Sequence, residues 1–169
     1  MSDIRPEAAC DVAAIHRVHA EAFGQSEEAV LVDTLRSSGA LRVSLVAVEA
    51  GAVVGHIAFS PVVVQDGTST LNALGLAPLA VLPEWQRRGI GARLVRVGLA
   101  ACNETPYGLV FVLGAPRFYG RFGFRPAKPL GLTWEHGGPP GAFMVQALRR
   151  GTLRGIRGVV AFRPEFGEV

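Results

Sequence analysis

The residues Val81-Leu82-Pro83-Glu84-Trp85-Gln86-Arg87-Arg88-Gly89-Ile90-Gly91 join an apolar, strand-like run to a basic turn spaced by glycines. Pro83 stops the run, because proline cannot donate to a strand ladder. From Ile90 the apolar residues Ile90, Leu94, Val97 and Ala101 recur at helical spacing, so the turn sits at a helix N-terminus. Unpaired backbone N–H groups and the positive end of the helix dipole gather there. Gly89 and Gly91 carry no side chain to keep an anion from the backbone, and Arg87 and Arg88 bring donors that suit phosphate oxygens. This is the chemistry of a pyrophosphate pocket.

Two familiar phosphate motifs do not fit. A P-loop requires a lysine directly after its second glycine, and the single lysine of the chain is Lys128. A dinucleotide fingerprint requires a third glycine where Leu94 stands. What remains is Gln-x-x-Gly-x-Gly, carried by Gln86, Gly89 and Gly91, and here the chain resembles the Gcn5-related N-acetyltransferases (GNAT). A second element of that superfamily, Tyr-x-x-x-Gly-Phe, is matched by Tyr119, Gly123 and Phe124. The chain departs from the family at Gly114-Ala115-Pro116, where an asparagine is frequent.

The resemblance implies an α/β (α+β) fold: a mixed, mostly antiparallel sheet with a splayed, bulged central strand, flanked by helices. It implies acetyl-CoA as co-substrate, and an enzyme that moves the acetyl group to an amine by direct attack. Gln86, Arg87, Arg88, Gly89, Ile90, Gly91 and Ala92 then hold the pyrophosphate. Leu79, Ala80 and Val81 offer backbone groups to the pantetheine arm and the thioester, with the Val81 N–H placed for the oxyanion. Tyr119 is the candidate acid for the departing thiolate, or else packs on the pantetheine arm. Pro78, inside the apolar segment Leu71 to Val81, accords with a bulge, because proline forfeits a ladder bond. No general base stands out: Glu21, Glu27 and His56 are candidates, and a water chain is the alternative.

These residues need a scaffold to position them. Asp11 is a candidate cap for a helix with Val12, Ile15, Ala22 and Phe23 facing inward and His16 and His19 on its side, partly exposed. Ser26 is a candidate cap for a second helix carrying Leu31 and Leu35 and ending at Gly39. Arg42 to Glu49 and Ala52 to Val64 read as a hairpin about Ala50-Gly51, and Asp66-Gly67 turns into the strand that leads to the phosphate turn. Tyr107 to Leu113 reads as a buried strand and Ala115 to Phe122 as a short segment. A proline- and glycine-rich excursion follows, and then strands at Ala142 to Leu148 and Val159 to Phe162. The expected unit is one domain over residues 1–169. The acceptor site is expected between the first two helices and the excursion from Lys128 to Gly141, which contains Trp134, Glu135 and His136.

Composition excludes several classes. With 49% hydrophobic residues the 169-residue chain has the makings of a globular core, and no apolar run approaches the ~20 residues of a membrane span. No basic, apolar leader opens the chain, so a cytoplasmic location is expected. Cys10 and Cys102 have no metal-ligand spacing, and the His16/His19 pair has no third ligand, so no metal is expected. The net charge of +3 comes with arginines clustered at the phosphate turn (Arg87, Arg88, Arg93, Arg96) and near the C-terminus (Arg149, Arg150, Arg154, Arg157), without a nucleic-acid motif. Beyond acetyl-CoA and an amine, a homodimer is expected by analogy alone. A cofactor sensor without catalysis, or an interaction module that binds acidic partners through the late arginines, are the other functional classes open to this sequence.

Overall fold

A computed structural model of the protein describes residues 1–168. Nine strands and four α-helices follow the expected order: β1 (Asp3–Pro6), α1 (Val12–Phe23), α2 (Glu27–Ser37), β2 (Val43–Glu49), β3 (Ala52–Asp66), β4 (Ser69–Val81), α3 (Ile90–Cys102), β5 (Leu109–Leu113), α4 (Pro116–Tyr119), β6 (Arg125–Pro126), β7 (Leu132–Trp134), β8 (Phe143–Ala147) and β9 (Gly158–Ala161). The chain divides into two compact units. One comprises residues 1–60, 77–101 and the described residues from Pro164 on; the other comprises residues 61–76 and 102–163. Strands β3 and β4 run through both.

In the first unit β1 pairs antiparallel with β2, and β2 with β3, from Val43 opposite Phe59 to Glu49 opposite Ala52. The hairpin turn lies at Ala50 and Gly51, both at positive φ (49° and 78°), which matches the twist of the flanking strands. The end of β4 runs beside β3, where the Leu82 N–H donates to the Val54 carbonyl at 2.8 Å. Helix α2 buries Leu31 and Leu35 as expected, against Ala40, Leu41 and Phe166. In the second unit the order is β4-β5-β8-β6, with β9 joining β3 to β7. All these ladders are antiparallel except β4–β5 and β7–β9, and the β4–β5 register spans only Leu74–Gly75. Its core gathers Phe111, Phe143, Leu109, Leu132, Val145 and Val160, with the Phe111 and Phe143 rings stacked at 5.4 Å.

Three local expectations need correction. Helix α1 buries Ile15, Val18 and His19, whereas Phe23 is 42% exposed. Helix α3 buries Ile90, Leu94, Val95 and Leu99, and leaves Val97 exposed; the inward stripe is turned from the one read by strict three- and four-residue steps. Neither Asp11 nor Ser26 makes a side-chain cap to its helix. Asp11 instead accepts from the Ala8 N–H at 2.7 Å and from Arg5 at 2.7 and 3.1 Å, and this pairing with Arg5 and Ala8 lowers its pKa. A salt-bridged carboxylate is no longer available to the first turn of α1.

Helix α3 approaches the sheet closely because two positions lack side chains. A Cβ on Gly98 would lie 2.7 Å from the buried Phe59 ring, and one on Gly55 would lie 3.0 Å from Leu94 and 3.3 Å from the Ala80 carbonyl oxygen. Glycine normally weakens a helix interior by ~1 kcal/mol relative to alanine. At position 98 the sign reverses: Gly98→Ala is expected to destabilise the protein by about 1–3 kcal/mol through overpacking against Phe59. Urea unfolding with an unchanged m-value checks this, and a raised midpoint would refute it.

Candidate active site

The turn between β4 and α3 is built as its residue types demand. Pro83–Trp85 forms one 3-10 turn after β4, its Trp85 N–H donating to the Leu82 carbonyl at 2.8 Å. The Gln86 side chain then folds back, and its Nε2 donates to the Val81 carbonyl at 2.9 Å. The glutamine of the motif therefore fixes the last peptide of β4 against the turn. Arg87 takes φ 62° and Gly89 φ 82°. A left-handed arginine costs about 1–2 kcal/mol, and the turn carries this cost at the residue that presents a cation. The first helical bond runs from Arg93 N–H to the Gly89 carbonyl at 3.1 Å. Helix geometry leaves the N–H groups of Ile90, Gly91 and Ala92 without an intrahelical acceptor.

Charge surrounds these donors. The Arg88 guanidinium lies 4.8 Å over the Trp85 ring, which props it beside the turn. Arg93 donates to the Ser2 carbonyl oxygen, and a cavity of about 350 Å³ beside the turn is lined by Met1, Ser2, Glu49, Trp85, Arg88 and Arg93. Glu84 is exposed, as expected. Among the described residues no group of three or more His, Cys, Asp or Glu is placed to hold a metal, and no helix is long and apolar enough to cross a membrane.

Tyr119 belongs to the second unit. It ends α4, with its ring edge-on to Phe118 at 4.9 Å and Phe124 at 5.8 Å. The chain's departure at Gly114 has a steric reason here, since a Cβ at Gly114 would overlap the Tyr119 ring. Burial pushes the phenol up to about 12, so it stays protonated across the neutral range. In the same unit the excursion from Lys128 to Gly141 encloses a cavity of about 590 Å³ lined by Lys128, Leu132, Trp134, Pro139, Pro140 and Phe143. His136 stands largely exposed, 3.4 Å from Glu135. The late arginines Arg149, Arg150, Arg154 and Arg157 are all exposed, and Arg149 donates to the backbone carbonyls of Asn103, Thr105 and Tyr107.

The model of the acetyltransferase (GNAT) domain matches residues 3–127. The chain belongs to the GNAT acetyltransferase family. It is 38% identical over 164 residues to the uncharacterized N-acetyltransferase YhbS of Escherichia coli K12, covering 96% of this chain and 97% of that protein. The crystal structure of E. coli YhbS in complex with CoA superposes with a TM-score of 0.92 at 38% identity, over 98% of this chain and 92% of the other. A GNAT family acetyltransferase from Brucella melitensis, solved with acetyl-CoA, gives a TM-score of 0.80 at 35% identity, over 98% of each chain.

Of the base candidates, Glu21 is an exposed partner of Arg17 at 3.4 Å and Glu27 lies exposed in the first turn of α2. His56 is fully buried and belongs to a polar chain that sequence reading missed. Glu7, after β1, accepts from Arg36 Nε of α2 at 2.7 Å and from the Ser44 hydroxyl of β2. Ser44 Oγ lies 2.7 Å from His56 Nε2, and His56 Nδ1 lies 2.8 Å from His19 Nε2 of α1. His19, expected on the partly exposed side of its helix, has no exposure. The available signal was weak: one histidine inside the otherwise apolar strand Gly55-His56-Ile57 marks a buried polar residue that requires a partner.

Burial raises the Glu7 pKa, but the nearby His56 and the hydrogen bonds from Arg36 and Ser44 outweigh it and hold the carboxyl at about 2. Burial, with a smaller push from His56, takes His19 down to about 3, and burial also lowers His56. For Glu7 the folded pKa lies below the unfolded ~4.3, so its contribution is present above that pH and is lost as pH falls towards 2. For the histidines the unfolded chain binds protons below ~6.5 that the folded protein refuses, so stability again falls on acidification. Stability should decline progressively below about pH 6.5, and His19→Phe should flatten the upper part of that decline. Denaturant midpoints across pH 4–7 measure both, and parallel profiles for the two proteins would reject the assignment. At the turn, Arg87→Gly relieves the left-handed arginine while removing its charge. It should leave the unfolding midpoint equal or higher while weakening CoA affinity about tenfold in low salt, read by calorimetry. Unchanged affinity would remove Arg87 from the phosphate site.

Proposed function

We propose that the protein is an acetyl-CoA-dependent N-acetyltransferase that moves acetyl to a primary amine by direct attack. The observation that carries this reading is the turn Gln86 to Ala92: a left-handed arginine, open helix N–H groups and a glutamine bound to the end of β4. The chain around it is alike over almost its whole length to a protein crystallised with CoA. Gln86, Arg87, Arg88, Gly89, Ile90, Gly91 and Ala92 hold the pyrophosphate by backbone donors and guanidinium charge. Leu79, Ala80 and Val81 bind the pantetheine arm and thioester.

In the transfer, the amine nitrogen attacks the acetyl carbonyl carbon and the carbonyl electron pair moves to oxygen. The Val81 N–H donates to that oxyanion, a preorganised donor whose position is supported by the Gln86 bond to the Val81 carbonyl. The carbonyl re-forms as the C–S bond breaks, Tyr119 donates a proton to the leaving thiolate, and the proton released by the amine nitrogen returns through water to the Tyr119 phenolate. Its buried phenol, never ionised near neutrality, is a permanent donor.

Calorimetry with CoA and acetyl-CoA, followed by thiol detection across a panel of primary amines, tests the reading. Binding together with thiol release that requires an amine is the expected result. Tyr119→Phe should cut turnover about 100-fold with acetyl-CoA affinity unchanged. Absence of binding at millimolar acetyl-CoA would sink the proposal, and binding without transfer to any amine would reduce the protein to a CoA-binding domain.

A further inference from the structure

The cavity inside the excursion between β6 and β8 shares no residue with the turn Gln86 to Ala92 or with the end of β4. Its volume of about 590 Å³ suits one small organic molecule, since ligand pockets span roughly 300–1,000 Å³. The walls are pinned by backbone pairing. Strand β7 runs parallel to β9, from Leu132 opposite Gly158 to Trp134 opposite Val160. The Leu132 N–H donates to the Ala127 carbonyl at 3.2 Å, the Gly137 N–H to the Trp134 carbonyl at 3.0 Å and the Ala142 N–H to the Pro139 carbonyl at 3.1 Å. A site already formed loses little freedom when it is filled.

The lining sorts into an apolar wall and one charge. Leu132 and Phe143 are buried members of the core of this unit, and Trp134 packs on that core while remaining half-buried. Pro126, Pro129, Pro139 and Pro140 add carbon surface and bring no N–H. The side-chain donors of the lining are the Lys128 ammonium, the Thr133 hydroxyl and the Trp134 Nε1–H, and no carboxylate lines it. Among the described residues Lys128 has no ion-pair partner, and Glu135, the acid nearest to it in sequence, lies 3.4 Å from His136. An apolar pocket with one unpaired cation and no anion attracts a carboxylate and rejects an ammonium group.

We propose that this cavity binds a small aromatic carboxylate, with its ring on the Trp134 wall and its carboxylate paired with the Lys128 ammonium. A ring is favoured over a branched chain because aromatic pairs attract beyond the area they bury. The site goes beyond the acetyltransferase reading and does not rest on it.

The probe is phenylacetate, with phenethyl alcohol and phenethylamine as its neutral and cationic counterparts. Lys128 is the only lysine of the chain, so protein isotope-labelled at lysine Cε gives one side-chain NMR signal, and that signal reports on this position alone. Phenylacetate should shift it saturably at low-millimolar concentration in low salt, and the alcohol should bind about fivefold more weakly, with the amine no better than the alcohol. Lys128→Met keeps the apolar stem and should abolish the preference for the carboxylate, read by calorimetry. Trp134→Ala should weaken both carboxylate and alcohol about tenfold. No saturable shift by about 10 mM phenylacetate overturns the proposal, as does equal affinity for phenylacetate and phenethylamine. A carboxylate preference that survives Lys128→Met overturns it too, because the anion then pairs elsewhere. Lys128 is exposed, so its substitution should leave the unfolding midpoint unchanged, and this arm decides the matter even where Trp134→Ala fails to fold.

Discussion

The first compact unit depends on the Glu7 carboxylate. Leaving β1, the chain places this group where Arg36 of α2, Ser44 of β2 and His56 of β3 converge on it, and His56 in turn holds His19 of α1. A buried carboxylate without partners is costly, so the elements that bear those partners are bound to one arrangement. Apolar packing supplies most of the drive to bury α1 and α2 but tolerates small slides. A hydrogen-bond chain tolerates less, because its donor–acceptor distances are confined to a narrow range. The network therefore fixes how far the two helices advance along the sheet.

Helix α3 is positioned by a different constraint, that of contact with nothing to spare. Gly98 against Phe59 and Gly55 against Leu94 let the helix axis approach the strands more closely than side chains of ordinary size permit. Close approach sets where the helix begins, and thus where its open N–H groups stand beside the end of β4. On the short path from Trp85 to Ile90, Arg87 and Gly89 both take left-handed backbone conformations. A glycine in place of Arg87 would relax the backbone and lose the cation.

What was legible in the sequence was local. The glycine-spaced turn before α3, the order of strands and helices, the hairpin at Ala50-Gly51 and the short helix that ends at Tyr119 all rest on residues a few positions apart, whose types state their backbone conformation or periodicity. What was illegible was tertiary. Val97 and Phe23 occupy positions that an apolar stripe would bury, and the turned stripe of α3 became visible only when Gly98 faced Phe59. Asp11 and Ser26 have the types of helix caps, but Arg5 claims the first carboxylate. His19 looked like one of a pair on an exposed helix side, since its partner lies far away on β3 and no spacing rule links the two. Gly114 looked like a loss of a family feature. It is where the Tyr119 ring finds room.

The two constraints meet on strand β3. Its Gly55 side serves helix α3, which follows the glycine-spaced turn, and its His56 side serves the polar chain, because successive residues of a strand face opposite ways. One residue of slip in the β3 register would exchange the two faces, placing an imidazole against Leu94 and leaving Glu7 and Ser44 without their histidine. The hydrogen bond from Leu82 to Val54 and the pairing of His56 with Val46 both oppose that slip, one from each neighbouring strand. The geometry that holds the turn before α3 and the geometry that orients the buried histidines are thus not independent features of the fold. A substitution that shifts β3 damages both together, whereas one confined to a single face separates the packing of α3 from the buried polar chain.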